Sequence, residues 1–149
     1  MLLDDEYFMR LALHEAEKAL EKGEIPVGCV IVSNDLVIAK AGNMTETLRD
    51  VTAHAEMQAF TAAAEYLGAK YLTDCTLYVT LEPCLMCLGA SYWTQIRKIV
   101  YGAADQKHKL PLDKKYILHP KTQYMGGVME KESMQLLYDF FKKKRNNIR

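Results

Sequence analysis

The sequence predicts an α/β protein in which helices pack against a β-sheet. Apolar residues recur at helical spacing over residues 4–21. Residues 27–32 and 36–39 are short apolar runs that fit strands. A strand, a helix and another strand follow one another over residues 76–101, which predicts a right-handed β-α-β crossover with parallel pairing. No repeat or linker divides the chain, so we expect one domain spanning residues 1–149.

The first three elements have local causes in the sequence. Asp4 or Asp5 can cap the first helix, and Gly23 marks its end. The strands over 27–32 and 36–39 are joined by Ser-Asn-Asp, whose turn chemistry predicts a hairpin.

The middle of the chain contains the strand and the helices that flank the most distinctive residues. Thr52 is predicted to cap a second helix, which runs to Leu67 and ends at Gly68. A strand follows at 76–81. Pro83 is predicted to occupy the first turn of a third helix, where its missing N–H costs nothing.

The last third of the chain is predicted to add two strands and a helix. Residues 98–101 read as a fourth strand, and residues 116–118 as a short fifth strand. Residues 130–143 have the pattern of a closing amphipathic helix. Its apolar side carries Met134, Leu137, Tyr138 and Phe141.

Composition indicates a soluble protein of the cytoplasm. Half of the 149 residues are hydrophobic, and no run approaches the ~18 apolar residues of a membrane span, so no membrane association is expected. The start is acidic where a signal peptide needs basic residues. Four cysteines without a targeting segment favour metal binding over disulfides. Cys29 and Cys75 lie in or beside apolar runs and are expected to be buried thiols.

The charge is distributed unevenly although the net charge is zero. Residues 1–75 contain 6 basic and 13 acidic residues, a charge of −7, and residues 76–149 contain 13 and 6, a charge of +7. The run Lys-Lys-Lys-Arg at 142–145 is the densest basic stretch. It indicates either a phosphate-binding surface or a solvated helix end stabilised by the helix dipole.

One His and two Cys residues predict a zinc site. His54, Cys84 and Cys87 supply three ligands of the types that zinc prefers, which leaves a fourth tetrahedral position for water. Glu56 lies two residues after His54 and is expected to handle protons rather than bind the metal. The pattern His-x-Glu with Pro-Cys-x-x-Cys is the known signature of zinc-dependent nucleobase deaminases.

A closed structural zinc site is the alternative interpretation. It would need a fourth ligand, for which His108, His119, Cys29 and Cys75 are the candidates. None of the four lies at the spacing of a zinc finger. A third hypothesis is an inactive, zinc-stabilised interaction domain, which would have little need for Glu56.

The chain resembles the cytidine deaminase superfamily in these motifs and in four further places. These are Ile-Pro-Val-Gly at 25–28, Asn43, Val-Tyr-Gly-Ala at 100–103 and the end of the chain at 136–145. More narrowly, the chain resembles the bacterial tRNA-specific adenosine deaminases. The resemblance implies a three-layer α-β-α cytidine deaminase-like fold with a central mixed sheet of about five strands. It also implies a Zn²⁺ cofactor, a homodimer, and conversion of adenosine to inosine at the wobble position of a tRNA anticodon stem-loop.

The resemblance also assigns roles to individual residues. The target nucleoside is expected to contact Asn43, Val27, Leu81, Pro83 and Ala55. The nucleic acid is expected to contact a second set, namely Asp105, Lys107, Lys142, Lys143 and Arg145.

Two departures from the family pattern keep a free-base or nucleoside deaminase of guanine or cytosine type as the alternative function. The sequence Tyr-Trp-Thr-Gln at 92–95 stands where tRNA deaminases often carry His-Ser-Arg, and a Tyr-Trp pair at this place resembles guanine deaminases. Trp93 could then narrow the pocket mouth or stack on a small purine. The segment after Lys107 also lacks the usual glycine- and alanine-rich sequence.

Overall fold

A five-stranded mixed sheet forms the centre of the computed structural model, which describes residues 3–108 and 113–148. The strands, in the order β2-β1-β3-β4-β5 across the sheet, are β1 (Gly28–Ser33), β2 (Leu36–Gly42), β3 (Cys75–Leu81), β4 (Lys98–Ala103) and β5 (Gln123–Met125). β1 pairs antiparallel with β2 and β3, whereas β4 pairs parallel with β3 and β5. The predicted hairpin, the parallel pairing of the strands before and after α3, and the mixed sheet are confirmed.

Helices cover both faces of this sheet. They are α1 (Asp5–Glu21), α2 (Ala55–Leu67), α3 (Leu85–Thr94) and α4 (Glu130–Ile148). α1 and α4 contact each other and lie on one face, and α2 and α3 contact each other on the opposite face. The three-layer arrangement is therefore confirmed. Among the helices of the described chain, none combines the length and apolar character needed to cross a bilayer.

β1 is apolar along most of its length because both of its faces are buried. Cys29 and Ile31 pack into the core beneath α2 and α3. Val30 and Val32 point the other way and pack against α1. Successive side chains of a strand alternate between faces, so a strand between two helical layers needs apolar residues at every position.

Two glycines bring α1 close to the hairpin. Gly28 and Gly42 pair with each other across β1 and β2. A Cβ atom on Gly28 would lie 2.2 Å from the backbone nitrogen of Ala16 and 2.4 Å from the carbonyl oxygen of Ala12. A Cβ on Gly42 would lie 3.1 Å from the Cβ of Ala19. A larger residue at Gly28 would therefore push the helix away from the sheet.

The start of α1 is confirmed, and the start of α2 differs from the prediction. Asp4 caps α1 by accepting a hydrogen bond from the Tyr7 N–H at 2.8 Å. Thr52 does not cap α2, whose N-cap is His54. The N–H and the hydroxyl of Thr52 instead donate to a carboxylate oxygen of Asp50, at 2.8 and 2.7 Å. This short turn orients the chain as it approaches His54.

The prediction for Pro83 is also wrong in detail. α3 has Cys84 as its N-cap, so Pro83 precedes the helix instead of lying in its first turn. The extended conformation at the N-cap suits a residue that follows a strand and a proline. α4 begins at Glu130 as predicted but continues past Lys143 to Ile148.

The fifth strand lies further along the chain than predicted. Tyr116 ends a short 3₁₀ turn, Lys114–Tyr116, and residues 117–118 follow it directly. Asp113 caps this turn by accepting from the Lys115 N–H at 3.1 Å. The N–H groups of Ile117 and Leu118 both donate to the Lys114 carbonyl. Their donors are consumed locally and cannot join a strand ladder, so the strand is Gln123–Met125 instead.

Candidate active site

Four strand ends meet at one edge of the sheet, and this edge carries the candidate site. β1 begins there after Val27, and antiparallel β2 returns to it before Asn43. β3 and β4 run parallel and end at the same edge, after Leu81 and Ala103. All four of these residues line one cavity of about 700 Å³.

Three metal-ligand side chains meet at the wall of this cavity. Nδ1 of His54 lies 3.5 Å from Sγ of Cys84 and 3.6 Å from Sγ of Cys87. All three donor atoms lie within 4.8 Å of one another. A tetrahedral zinc with Zn–S of about 2.3 Å and Zn–N of about 2.0–2.1 Å separates N from S by about 3.5 Å. The three groups therefore fit zinc in both chemistry and spacing.

No fourth ligand joins this cluster in residues 3–108 and 113–148. Cys29 and Cys75, which were candidates for a closed site, are fully buried in the core beneath α2 and α3. His108 instead directs Nδ1 at a carboxylate oxygen of Asp105, 3.1 Å away. His119 accepts a hydrogen bond from the Lys121 N–H. The cluster therefore has three donors and an open position, as a catalytic zinc site requires.

The ligands are positioned by the first turns of two helices. His54 is the N-cap of α2 and Cys84 is the N-cap of α3. Cys87 lies three residues after Cys84, so both thiols project toward the same side of α3. Helix N-termini carry partial positive charge, which stabilises the anionic groups of the site.

Hydrogen bonding among the donors prepares one thiol for metal binding. A hydrogen bond from the Cys87 thiol lowers the pKa of Cys84 to about 4, and His54 adds to this effect. The same hydrogen bond raises the pKa of Cys87, which keeps the shared proton. The hydrogen bond with Cys84 also raises the pKa of His54. Binding of a metal would displace these protons, because zinc binds the thiolate.

Glu56 lies in the first turn of α2 and lines the cavity. Its side chain is buried, and only 4% of the residue is exposed. Burial raises the pKa of the Glu56 carboxyl, and the nearby Cys84 thiolate adds to that shift. A buried carboxyl beside a metal cluster is an arrangement suited to proton transfer.

The other predicted site residues divide into those that line the cavity and those that do not. Val27, Asn43, Ala55 and Leu81 line it, as do Asp105, Lys107 and Arg145. The structure does not bring Pro83, Lys142 and Lys143 to the lining. Pro83 is buried next to Cys84, whereas the two lysines are exposed on α4.

The apolar residues of α4 that line the cavity were not predicted as part of the site, although Arg145 on the same helix was. Met134, Leu137, Tyr138 and Phe141 line the cavity together with Arg145. Their helical spacing was visible in the sequence and indicated an apolar face. Periodicity alone cannot tell a face that packs on the core from one that faces a ligand.

Glu82 is a further cavity residue that the sequence analysis missed. Its side chain is 8% exposed and forms an ion pair with Lys114. Its carboxylate also accepts hydrogen bonds from the Asp105 N–H at 3.0 Å and the Tyr124 hydroxyl at 3.3 Å. Glu82 thus joins the ends of β3 and β4 to the segment that precedes β5.

Trp93 does not narrow the pocket mouth. It lies near the end of α3, is 76% exposed, and does not line the cavity. Its ring instead makes an edge contact with Tyr92, with centroids 5.4 Å apart. The resemblance of this pair to guanine deaminases therefore does not involve the cavity.

Known proteins that are similar to this chain agree with the geometry of the site. The model of the cytidine and deoxycytidylate deaminase zinc-binding region matches residues 3–103. A tRNA-specific adenosine deaminase of Aquifex aeolicus (strain VF5) is 47% identical, over 96% of this chain and 97% of that protein.

Two solved structures extend the comparison. A chain from studies of A-to-I editing by tRNA:A34 deaminases at the wobble position of transfer RNA has a TM-score of 0.80 and 41% identity. The match covers 88% of this chain and 99% of that one. A guanine deaminase from Bacillus subtilis is also 41% identical, but with a TM-score of 0.66 and coverage of 68% of this chain and 66% of that one. The chain thus belongs to the zinc-binding cytidine and deoxycytidylate deaminase family and, within it, to the tRNA-specific adenosine deaminases.

Proposed function

We propose that residues 1–149 form a single zinc-dependent deaminase domain that converts adenosine to inosine at the wobble position of tRNA. The observation that carries the proposal is the composition of the cavity. Its inner wall holds His54, Cys84 and Glu56, and the Cys87 donor lies within 4.8 Å of the other two donors, which together is the machinery of hydrolytic deamination. Its outer wall, which we define as Lys107, Tyr138, Phe141 and Arg145, holds cations and aromatic rings, which are the groups that bind RNA. The tRNA substrate implies that the enzyme acts in the cytoplasm.

Zinc bound by the three donors supplies a Lewis acid that lowers the pKa of water to about 7. The carboxylate of Glu56 would accept one proton from the attacking water and deliver it to the adenine ring nitrogen. It would then carry the second water proton from the new C6 oxygen to the amino group, so that ammonia leaves and the C6 carbonyl of inosine forms. Val27, Ala55 and Leu81 supply apolar wall around the base. They limit contact with bulk water, so that Glu56 exchanges protons with the attacking water and the substrate.

The outer wall favours RNA over a free base as substrate. Lys107 and Arg145 line the cavity, and a free neutral base has no phosphate for them to contact. Tyr138 and Phe141 add aromatic surface, on which unstacked bases of a loop can stack. Lys107 Nζ lies 4.8 Å from the centre of the Phe141 ring, so charge and stacking surface are adjacent. Lys142 and Lys143 extend the positive charge along α4.

Asn43, Pro83 and Asp105 have positioning roles in this proposal. Asn43 offers its amide to the target nucleoside from the cavity wall. Pro83 fixes the chain just before Cys84. Asp105 accepts hydrogen bonds from the N–H groups of Lys107 and His108, at 3.0 and 3.2 Å, and thereby orders the loop that presents Lys107.

The enzyme is also proposed to act as a homodimer. Leu85, Tyr92 and Trp93 are 52%, 40% and 76% exposed and lie on one face of α3. Exposed apolar groups of this size mark interaction surfaces, and a second copy would cover them with the same face.

Sedimentation equilibrium tests this assembly. The parent chain should sediment as a dimer, and Trp93→Glu as a monomer. Leu36→Glu, an equal change at a 55% exposed residue on the hairpin, serves as the control and should remain dimeric. A monomeric parent chain at micromolar concentration would refute the proposal.

Substrate choice is the first test of the proposed function. The protein is incubated separately with an adenosine-wobble anticodon stem-loop, adenosine, cytosine, cytidine and guanine. Ammonia release and product mass are followed. We expect inosine in the stem-loop and little turnover of the small molecules, because only RNA is large enough to contact the cations and aromatic rings of the outer wall. Conversion of guanine to xanthine with an unchanged stem-loop would reject the proposal in favour of a free-base deaminase.

Two substitutions separate catalysis from metal binding. Glu56→Gln should reduce kcat by at least about 10²-fold, the size typical of a lost general acid–base, while about one zinc per chain remains. Cys87→Ala should lose zinc and lower the Tm, because zinc binding stabilises the fold. Metal analysis, calorimetry and turnover are the measurements.

Cys75→Ala provides the control for the loss of a buried thiol. Cys75 is as buried as Cys87 but lies outside the donor cluster. The Cys75→Ala variant should therefore retain zinc. Retention of zinc by Cys87→Ala, or near-normal turnover of Glu56→Gln, would contradict the assigned roles.

Arg145 tests the RNA contact on α4. Arg145→Ala should weaken stem-loop binding and reduce the slope of log K against log salt by about 0.7–0.9, the value for one phosphate contact. Lys131→Ala removes the same charge from an exposed position on the same helix that does not line the cavity. It should leave affinity and slope unchanged. Equal effects of the two variants would show that α4 contributes only general charge.

A further inference from the structure

A buried carboxylate lies behind the cavity wall that carries Asn43. Glu24 precedes β1 and has no exposed surface. Four hydrogen bonds reach its carboxylate from one loop: the Thr45 hydroxyl at 3.5 Å, the Glu46 N–H at 3.0 Å, and the N–H and hydroxyl of Thr47, both at 2.6 Å. The loop that follows Asn43 is thus wrapped around a single buried charge.

These hydrogen bonds keep Glu24 ionised. Burial alone would raise the pKa of its carboxyl, but the hydrogen bonds from Thr47, Glu46 and Thr45 together lower it. An ionised carboxylate can only accept hydrogen bonds. Every group that contacts Glu24 must therefore direct a hydrogen at it.

This requirement fixes the direction of the hydrogen bonds that lead to the cavity. The hydroxyl hydrogen of Thr45 points at Glu24, so the Thr45 oxygen can only accept from its other neighbour. That neighbour is the Nδ2 group of Asn43, at 3.4 Å. The amide of Asn43 is thereby held with Nδ2 toward Thr45, which leaves Oδ1 to accept a hydrogen bond from a ligand.

We propose that Glu24 is a positioning residue, which acts through Thr45 to orient the Asn43 amide so that Oδ1 accepts from a donor on the target nucleotide. This inference rests on the proposed function, because it assumes that Asn43 contacts the substrate. On adenosine, the exocyclic amino group and the ribose hydroxyls are the available donors. The backbone around Asn43 is held independently, since its N–H donates to the Val27 carbonyl at 3.0 Å.

A double-mutant cycle distinguishes this role from simple support of the fold. Thr45→Val keeps the shape of the side chain but removes the hydroxyl, and should lower kcat/KM on the stem-loop about tenfold. Thr45→Ser retains the hydroxyl and should restore most of the activity. In an Asn43→Ala background, Thr45→Val should change kcat/KM less than twofold, because the amide that it orients is gone.

Glu24→Gln provides the second arm, with stability as a separate readout. In the Asn43→Ala background, Glu24→Gln should cause no further loss of kcat/KM. It should still lower the Tm in that background, because the contacts between Glu24 and the loop are broken in either case. The inference would be overturned if Thr45→Val or Glu24→Gln lowered kcat/KM by the same factor in the Asn43→Ala background as in the parent chain. Failure of the proposed function is a different result, in which the parent chain forms no inosine. The cycle would then be run on whichever base the parent deaminates.

Discussion

The register of the mixed sheet is the constraint on which the rest of this structure depends. Because β1 is antiparallel to β2 and β3 while β3 and β4 are parallel, the ends of four strands meet at one edge. The helix starts that hold His54 and Cys84 follow from the chain paths that leave this edge. A slip of one residue in a strand would turn its side chains to the opposite face, and the metal donors, the base pocket and the loop around Glu24 would lose their common location.

Sequence reasoning succeeds where the chemistry is local and fails where it depends on the path of the chain. The zinc donors and Glu56 could be predicted because few residue types bind zinc, and because two short motifs contain all four groups. The loop contacts of Glu24 could not, since they involve backbone N–H groups more than twenty residues away. The strand placed at residues 116–118 failed for a related reason. Its residues favour a strand, but the Asp113 cap turns the chain first.

The ion pair between Glu82 and Lys114 connects the end of β3 to the segment before β5. Glu82 is buried and the Lys114 side chain is 34% exposed, and partial burial lowers the pKa of Lys114. Removal of one member of such a pair leaves an uncompensated charge and is costly. The segment before β5 is therefore held to Glu82, which lines the cavity.

The position of α4 in the chain has a consequence for biosynthesis. Arg145 follows Cys87 by 58 residues, which corresponds to about 3–12 s of translation at about 5–20 residues per second. The metal donors are therefore all synthesised before the α4 residues that line the cavity. The part of the cavity that α4 contributes is the last to be made, and the order of synthesis places the donors for the metal ahead of the helix that contacts the RNA.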